Sequence, residues 1–203
     1  LLFFGSSLNL SSRLCGKLLI LLVSRNLAMP HRSILILDCT PSKEPSEGRL
    51  LKEFFDTCKL YKPVTAFSLY YKVKSKRDFL RKLNTGKRYN IIHISAHGSL
   101  NGQFGLSNGS TWLATPKEIE KTNNKATLVF ANACLANRKI LADAFNGAKF
   151  FLAPKTEVEW INAAMFSLTF YKRYRVDGVS LRNSFKYARN RTQTCKDYPD
   201  YWL

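Results

Sequence analysis

Ile91-Ile92-His93-Ile94-Ser95-Ala96-His97-Gly98 and, further on, Thr127-Leu128-Val129-Phe130-Ala131-Asn132-Ala133-Cys134 are two apolar runs with chemically active tips. Each run has the length and the β-branched or aromatic content of a buried strand. One ends in His-Gly, the other in Ala-Cys. In open parallel sheets, sites form outside the carboxyl ends of the strands. His97 and Cys134 can therefore meet in one cleft although 37 positions separate them.

The segments around these runs support an α/β sheet that is mostly parallel, because strands alternate with helices. Ser33 to Leu37 reads as a buried strand ending at Asp38, and Pro41 to Gly48 as a loop. Leu50, Leu51, Phe54, Phe55 and Cys58 have helical spacing across Glu47 to Lys59. Val64 to Val73 reads as a strand. Ser75 opens a short helix that Gly86 stops. Gln103 to Leu113 reads as a hairpin turning at Asn108-Gly109. Thr115-Pro116-Lys117-Glu118 is a helix start with a capping box and Pro at the first position. A helix over 137–146, a strand over 148–153 and two helices over 159–174 and 179–190 complete the pattern.

A thiol attacks a carbonyl only as thiolate, and its free pKa leaves little thiolate at neutral pH. A neighbouring imidazole can take the proton and later protonate a leaving amine. On this reading His97 is the base and acid, and Cys134 is the nucleophile. The backbone N–H groups of Gly98 and Cys134 are candidate oxyanion donors. Glycine suits position 98 if the backbone must approach substrate closely. A helix starting soon after Cys134 would help to stabilise a thiolate. His93 lies inside its strand, and no third ligand accompanies it, so it reads as a core histidine rather than a metal ligand. Cys39 follows a strand end and reads as structural. Asn132 either contacts substrate or caps the strand end.

An apolar strand closing on His93-Ile94-Ser95-Ala96-His97-Gly98, followed by another ending in Asn132-Ala133-Cys134, resembles the caspase-like (clan CD) cysteine peptidases, and most of all their CHAT family. Gly147-Ala148 to Pro154, Ala163-Ala164, Phe170-Tyr171 and the helix opened by Gly178 extend the resemblance over about residues 33–190. It implies a three-layer caspase-like fold, with a mostly parallel central sheet flanked by helices and a small hairpin after the His-bearing strand. It also implies endopeptidase activity on protein or peptide substrates. A His97–Cys134 dyad would act through a thioester acyl-enzyme, with no metal and no other cofactor. The pocket for the residue before the scissile bond is then partly lined by Lys155 to Asn162. Glu157 or Glu159 there would select a basic residue, and Lys155 an acidic one, so specificity stays open. CHAT peptidases are usually attached to a sensor, which implies a regulatory partner. The stretch Thr156-Glu157-Val158-Glu159-Trp160 departs from the Trp-x-Val-Asp-like stretch of many CHAT domains.

The bulk properties bound these readings. The chain's 203 residues allow one sizeable domain with appendages, and 45% hydrophobic content suits a packed core. Five cysteines without a CxxC pair support neither a zinc ribbon nor a thioredoxin-like motif, and a reducing, cytoplasmic setting is the simpler assumption. The net charge of +18 would attract nucleic acid, acidic membranes or acidic proteins. The basic residues are scattered and no nucleic-acid or nucleotide motif accompanies them, so solvated surface charge is the preferred reading over a polyanion-binding face. A catalytically inactive caspase-like interaction module and a basic nucleotide- or nucleic-acid-binding α/β domain are the competing functional readings.

Residues 1–28 carry no acid and contain the apolar core Leu18 to Val23, too short for a membrane span. Met29 precedes the first good strand and looks like a natural start. Residues 1–28 therefore read as a leader, upstream translation or foreign segment outside the fold, and 29–203 as the peptidase-like domain.

Overall fold

The computed structural model describes residues 33–61, 68–86, 89–101, 103–192, 194 and 197–198. The expectation for residues 1–28 lies outside these described residues, as does the start of the strand expected from Val64.

Five strands form one parallel sheet: β1 (Ile34–Asp38), β2 (Ser68–Lys72), β3 (Ile91–Ser95), β7 (Leu128–Asn132) and β8 (Phe150–Leu152), in the order β2-β1-β3-β7-β8. The runs of β1, β3 and β7 are buried on both faces, as the inner strands of a parallel sheet require, while the edge strand β2 is half-buried. Alternate residues therefore serve two cores. Leu35, Leu37, Ile92, Ile94, Val129 and Ala131 join one cluster, which includes Phe79, Leu83, Ile119 and Phe145. Ile34, Ile36, Ile91, Leu128 and Phe130 join the other, with Phe55, Phe166, Phe170 and Phe185.

The helices divide accordingly. The first cluster draws on α2 (Lys76–Leu83), α3 (Pro116–Glu120) and α4 (Lys139–Ala144). The second draws on α1 (Glu47–Tyr61), α5 (Trp160–Tyr171) and α6 (Leu181–Arg191), with a π-helical turn at Lys172–Val176 after α5. The result is the expected three-layer arrangement. Local signals set several boundaries. The Ser75 hydroxyl accepts from Asp78 N–H at the start of α2, and Thr115 and Glu118 close the capping box of α3. Among the described residues, no helix is long and apolar enough to cross a membrane.

One element was not anticipated. His97 and Gly98 do not lie in a loop but begin β4 (His97–Leu100), which pairs antiparallel with β5 (Gln103–Ser107) and so with β6 (Leu113–Ala114) in a second, three-stranded sheet. The expected hairpin supplies β5 and β6. Its hydrogen bonds carry β4 along as a third strand, so His97 is held by a ladder. The short run His97-Gly98-Ser99-Leu100 has no apolar alternation of its own to announce a strand.

Candidate active site

The register of the parallel sheet brings three strand ends level. Asp38 pairs with Ser95, and Ser95 with Asn132. The loop after β1, the start of β4 and the turn after β7 therefore emerge side by side at the carboxyl edge. A cleft of about 240 Å³ opens there. Its lining includes Glu44, Glu47, His97, Asn132, Cys134 and Trp160.

His97 and Cys134 thus share one cleft, and their backbones are in close contact. A side chain at Gly98 would run into the Cys134 carbonyl oxygen, 1.6 Å from where its Cβ would stand. Position 98 needs glycine because β4 presses on the backbone of Cys134. The Cys134 thiol touches the chain after β8: Val158 N–H donates to Sγ at 3.5 Å, and Sγ lies 3.7 Å from the Val158 carbonyl oxygen. Leu135, directly after Cys134, has φ 59°, a left-handed conformation that is uncommon for a branched residue and typical of strained functional turns. The next helix, α4, starts only at Lys139. Among the described residues, the hydrogen-bonding atoms at the sulfur are those of Val158.

His97 is gripped from two sides. Its Nε2 lies 2.8 Å from Glu44 Oε2, and both side chains are about half exposed. Gly109, with φ 79°, packs on the ring: a Cβ there would stand 2.6 Å from the imidazole Cδ2. The Asn108-Gly109 turn expected for the hairpin therefore also shapes the seat of His97. Asp38 organises the loop that carries Glu44. Its carboxylate accepts from Thr40 N–H at 3.0 Å, Thr40 Oγ1 at 2.6 Å, Tyr70 Oη at 2.6 Å and Lys72 Nζ at 3.1 Å, and from the Ser46 hydroxyl. Burial opposes its charge, but hydrogen bonds from Ser46, Thr40, Tyr70 and Lys72 outweigh burial and hold its pKa below the usual range.

A buried polar network lies beneath the cleft. His93 Nε2 donates to Glu47 Oε2 at 2.8 Å, and His93 Nδ1 lies 3.0 Å from the Tyr171 hydroxyl. Burial pushes the Glu47 pKa up. The attraction and hydrogen bond of His93, with Ser167 and Asn132 beside the carboxylate, more than reverse this. Burial, and then Glu47, raise the Tyr171 hydroxyl well above its ordinary value, so it stays protonated. His93 is thus a core histidine, as its position inside the strand suggests.

The other expected residues fall differently. Asn132 lines the cleft, but its amide is engaged inward: Nδ2 donates to Ser167 Oγ at 3.1 Å and Oδ1 accepts from Tyr198 Oη at 2.6 Å. Lys155, Glu157 and Glu159 are exposed and outside the lining, whereas Val158 and Trp160 between and beside them face it. Cys39 is buried in the first core cluster, where burial and then Asp38 raise its thiol pKa. Among the described residues, no group of three His, Cys, Asp or Glu is arranged to hold a metal ion. Glu44 and Gly109 were not expected at the site, and Val158 only as one residue of the Lys155–Asn162 segment. Only Gly109 had a local signal, and that signal was for a turn.

The layered parallel sheet, with its small antiparallel sheet after the His-bearing strand, is a caspase-like fold. The comparison that shows this is structural. The crystal structure of the Arg specific cysteine proteinase gingipain R (RGPB) superposes with a TM-score of 0.54 at 12% sequence identity, covering 84% of this chain and 46% of the proteinase. The chain thus spans less than half the length of that relative. No protein-family profile matches the sequence, and no curated protein does.

Proposed function

We propose that the chain is a cysteine peptidase in which Cys134 is the nucleophile and His97 the general acid and base. The observation that carries this reading is the shared cleft: His97 and Cys134 emerge from adjacent, register-matched strands, and Gly98 lies against the Cys134 carbonyl. The fold likeness to a cysteine proteinase supports it, and the paired motifs favour a CHAT-like peptidase within the clan, governed by a partner or sensor.

Glu44 accepts a proton-bearing His97 Nε2, which fixes the tautomer and leaves Nδ1 to take the thiol proton. The thiolate adds to the scissile carbonyl carbon. The N–H groups of Gly98 and Cys134 receive the oxyanion. Collapse breaks the C–N bond, and the proton held by His97 goes to the leaving amine, leaving a thioester. His97 then takes a proton from water, whose oxygen attacks the thioester. The acid product departs and the proton returns to sulfur.

The test compares the protein with its Cys134→Ala variant on a diverse peptide mixture, read by mass spectrometry. Cleavage that disappears in the variant is the expected result. Equal cleavage by both proteins overturns the proposal. An inactive interaction module has no observation in its favour here.

A further inference from the structure

The cleft has an electrostatic character opposite to that of the molecule. The chain carries 32 Lys and Arg against 14 Asp and Glu. Among the described residues, none of the Lys or Arg lines the cleft, whereas two glutamates do, Glu44 and Glu47. Lys155, the one basic residue that would favour an acidic substrate from the adjoining segment, is exposed and outside the lining.

Glu44 is occupied with His97, but Glu47 has capacity to spare. Its Oε2 takes the hydrogen bond from His93, while Oε1 is buried and has no hydrogen-bond partner among the described residues. Ionised carboxylate oxygens can accept two hydrogen bonds each, and a buried one with none is costly. The residue is only 2% exposed yet lines the cleft. Val158, Ala163 and Trp160 form apolar lining next to it. A buried acceptor beside apolar walls matches an aliphatic stem with a cationic, many-donor head. Trp160 adds a π face of the kind that attracts such a head.

We infer that this cleft selects a basic side chain, arginine or lysine, at the residue before the scissile bond, with Glu47 as the residue that sets the preference. The inference rests on the peptidase reading and deepens it. The carboxylate is presented from the first turn of α1, not from the segment after β8 that carries the Glu157 and Glu159 expected from the sequence.

Peptides identical except at that residue (arginine, citrulline, aspartate) test it. Arginine should exceed its neutral isostere citrulline in kcat/KM by roughly 10- to 100-fold, the range for a charge-assisted hydrogen bond, and aspartate should be refractory. Glu47→Gln should bring the arginine-to-citrulline ratio close to one. Glu47 is also half of a buried pair, so the unaltered protein is tested in parallel with agmatine, a guanidinium amine. Agmatine should slow iodoacetamide labelling of Cys134, and succinate should not. Preference for citrulline or aspartate, or an unchanged ratio in a folded Glu47→Gln protein, overturns the inference and leaves the peptidase reading standing. Protection by agmatine without cleavage of any peptide overturns the peptidase reading and keeps the cation site. Neither cleavage nor protection overturns both.

Discussion

Two glutamate–histidine pairs lie at this edge of the sheet, Glu47–His93 and Glu44–His97, each with a nitrogen–oxygen distance of 2.8 Å. Their sequence positions differ by three and by four residues. Their environments differ completely: side-chain exposure is 0% and 3% in the first pair, 43% and 45% in the second. Burial makes the first pair a fastener. It ties the first turn of α1 to the middle of β3, and through Tyr171 to the end of α5. Exposure leaves the second pair at the mouth of the cleft, where the ring can exchange its proton with solvent and, on the peptidase reading, with substrate. The same two functional groups at the same distance form a structural tie in one place and, on the peptidase reading, a proton carrier in the other, because the surrounding dielectric and solvent access differ.

The sharpest way to break this comparison is to remove each histidine. His97→Ala should lower peptide cleavage by about 10²- to 10⁴-fold, the contribution of a general acid–base group, with little change in the urea midpoint. His93→Ala should do the reverse where the protein still folds. Leaving the Glu47 charge buried without its partner costs about 3–5 kcal/mol, read from urea unfolding. A matching loss of stability in both variants would show that the two pairs are equivalent after all.

Acid should separate the pairs next. The folded-state pKa of Glu47 lies below its ordinary value, so the pair contributes stability that is complete above the unfolded glutamate pKa of about 4.3 and drains away as pH falls through the folded value. Asp38 acts in the same direction, from the aspartate range. Melting temperature should therefore fall steeply below about pH 4, and Glu47→Gln should flatten that acid limb. An acid limb of unchanged slope in the variant would remove Glu47 from the account.

The smallest effect belongs to Glu44. Its pair with His97 is half exposed and screened, and such pairs contribute about 0–1 kcal/mol. Glu44→Gln should leave the melting temperature nearly unchanged and reduce kcat by roughly 10-fold through a less well-oriented imidazole, a modest share of the acid–base contribution. A loss as large as that of His97→Ala would make Glu44 a participant in proton transfer rather than a positioning residue.

Much of this frame was legible before any coordinates. Ile34 to Leu37, Ile91 to Ser95 and Leu128 to Asn132 declare buried strands by their unbroken apolar runs, and Ser75 and Thr115 declare helix starts by side-chain capping. Such signals are local: the residues that carry them are neighbours in the chain. Glu44 and Val158 could not be read this way. Each reaches the site from a different loop, and nothing in Pro41 to Ser46 or Lys155 to Glu159 states which side chain turns inward. The segment after β8 was expected to line a substrate pocket through its charged residues; Val158 and Trp160 line the cleft, while Lys155, Glu157 and Glu159 are exposed outside it. Alternation along an irregular segment decided that.

The sequence by itself determined that a histidine and a cysteine stand at the tips of two buried strands in an α/β sheet, because burial and periodicity are written in consecutive residues. Only the tertiary structure decided what surrounds them. The register of β1, β3 and β7 levels the three strand ends, the second sheet takes up His97, and Glu47 becomes a buried part of a cleft's lining instead of one more surface glutamate. These depend on contacts between residues far apart in the chain, whose relative placement follows from how the layers pack.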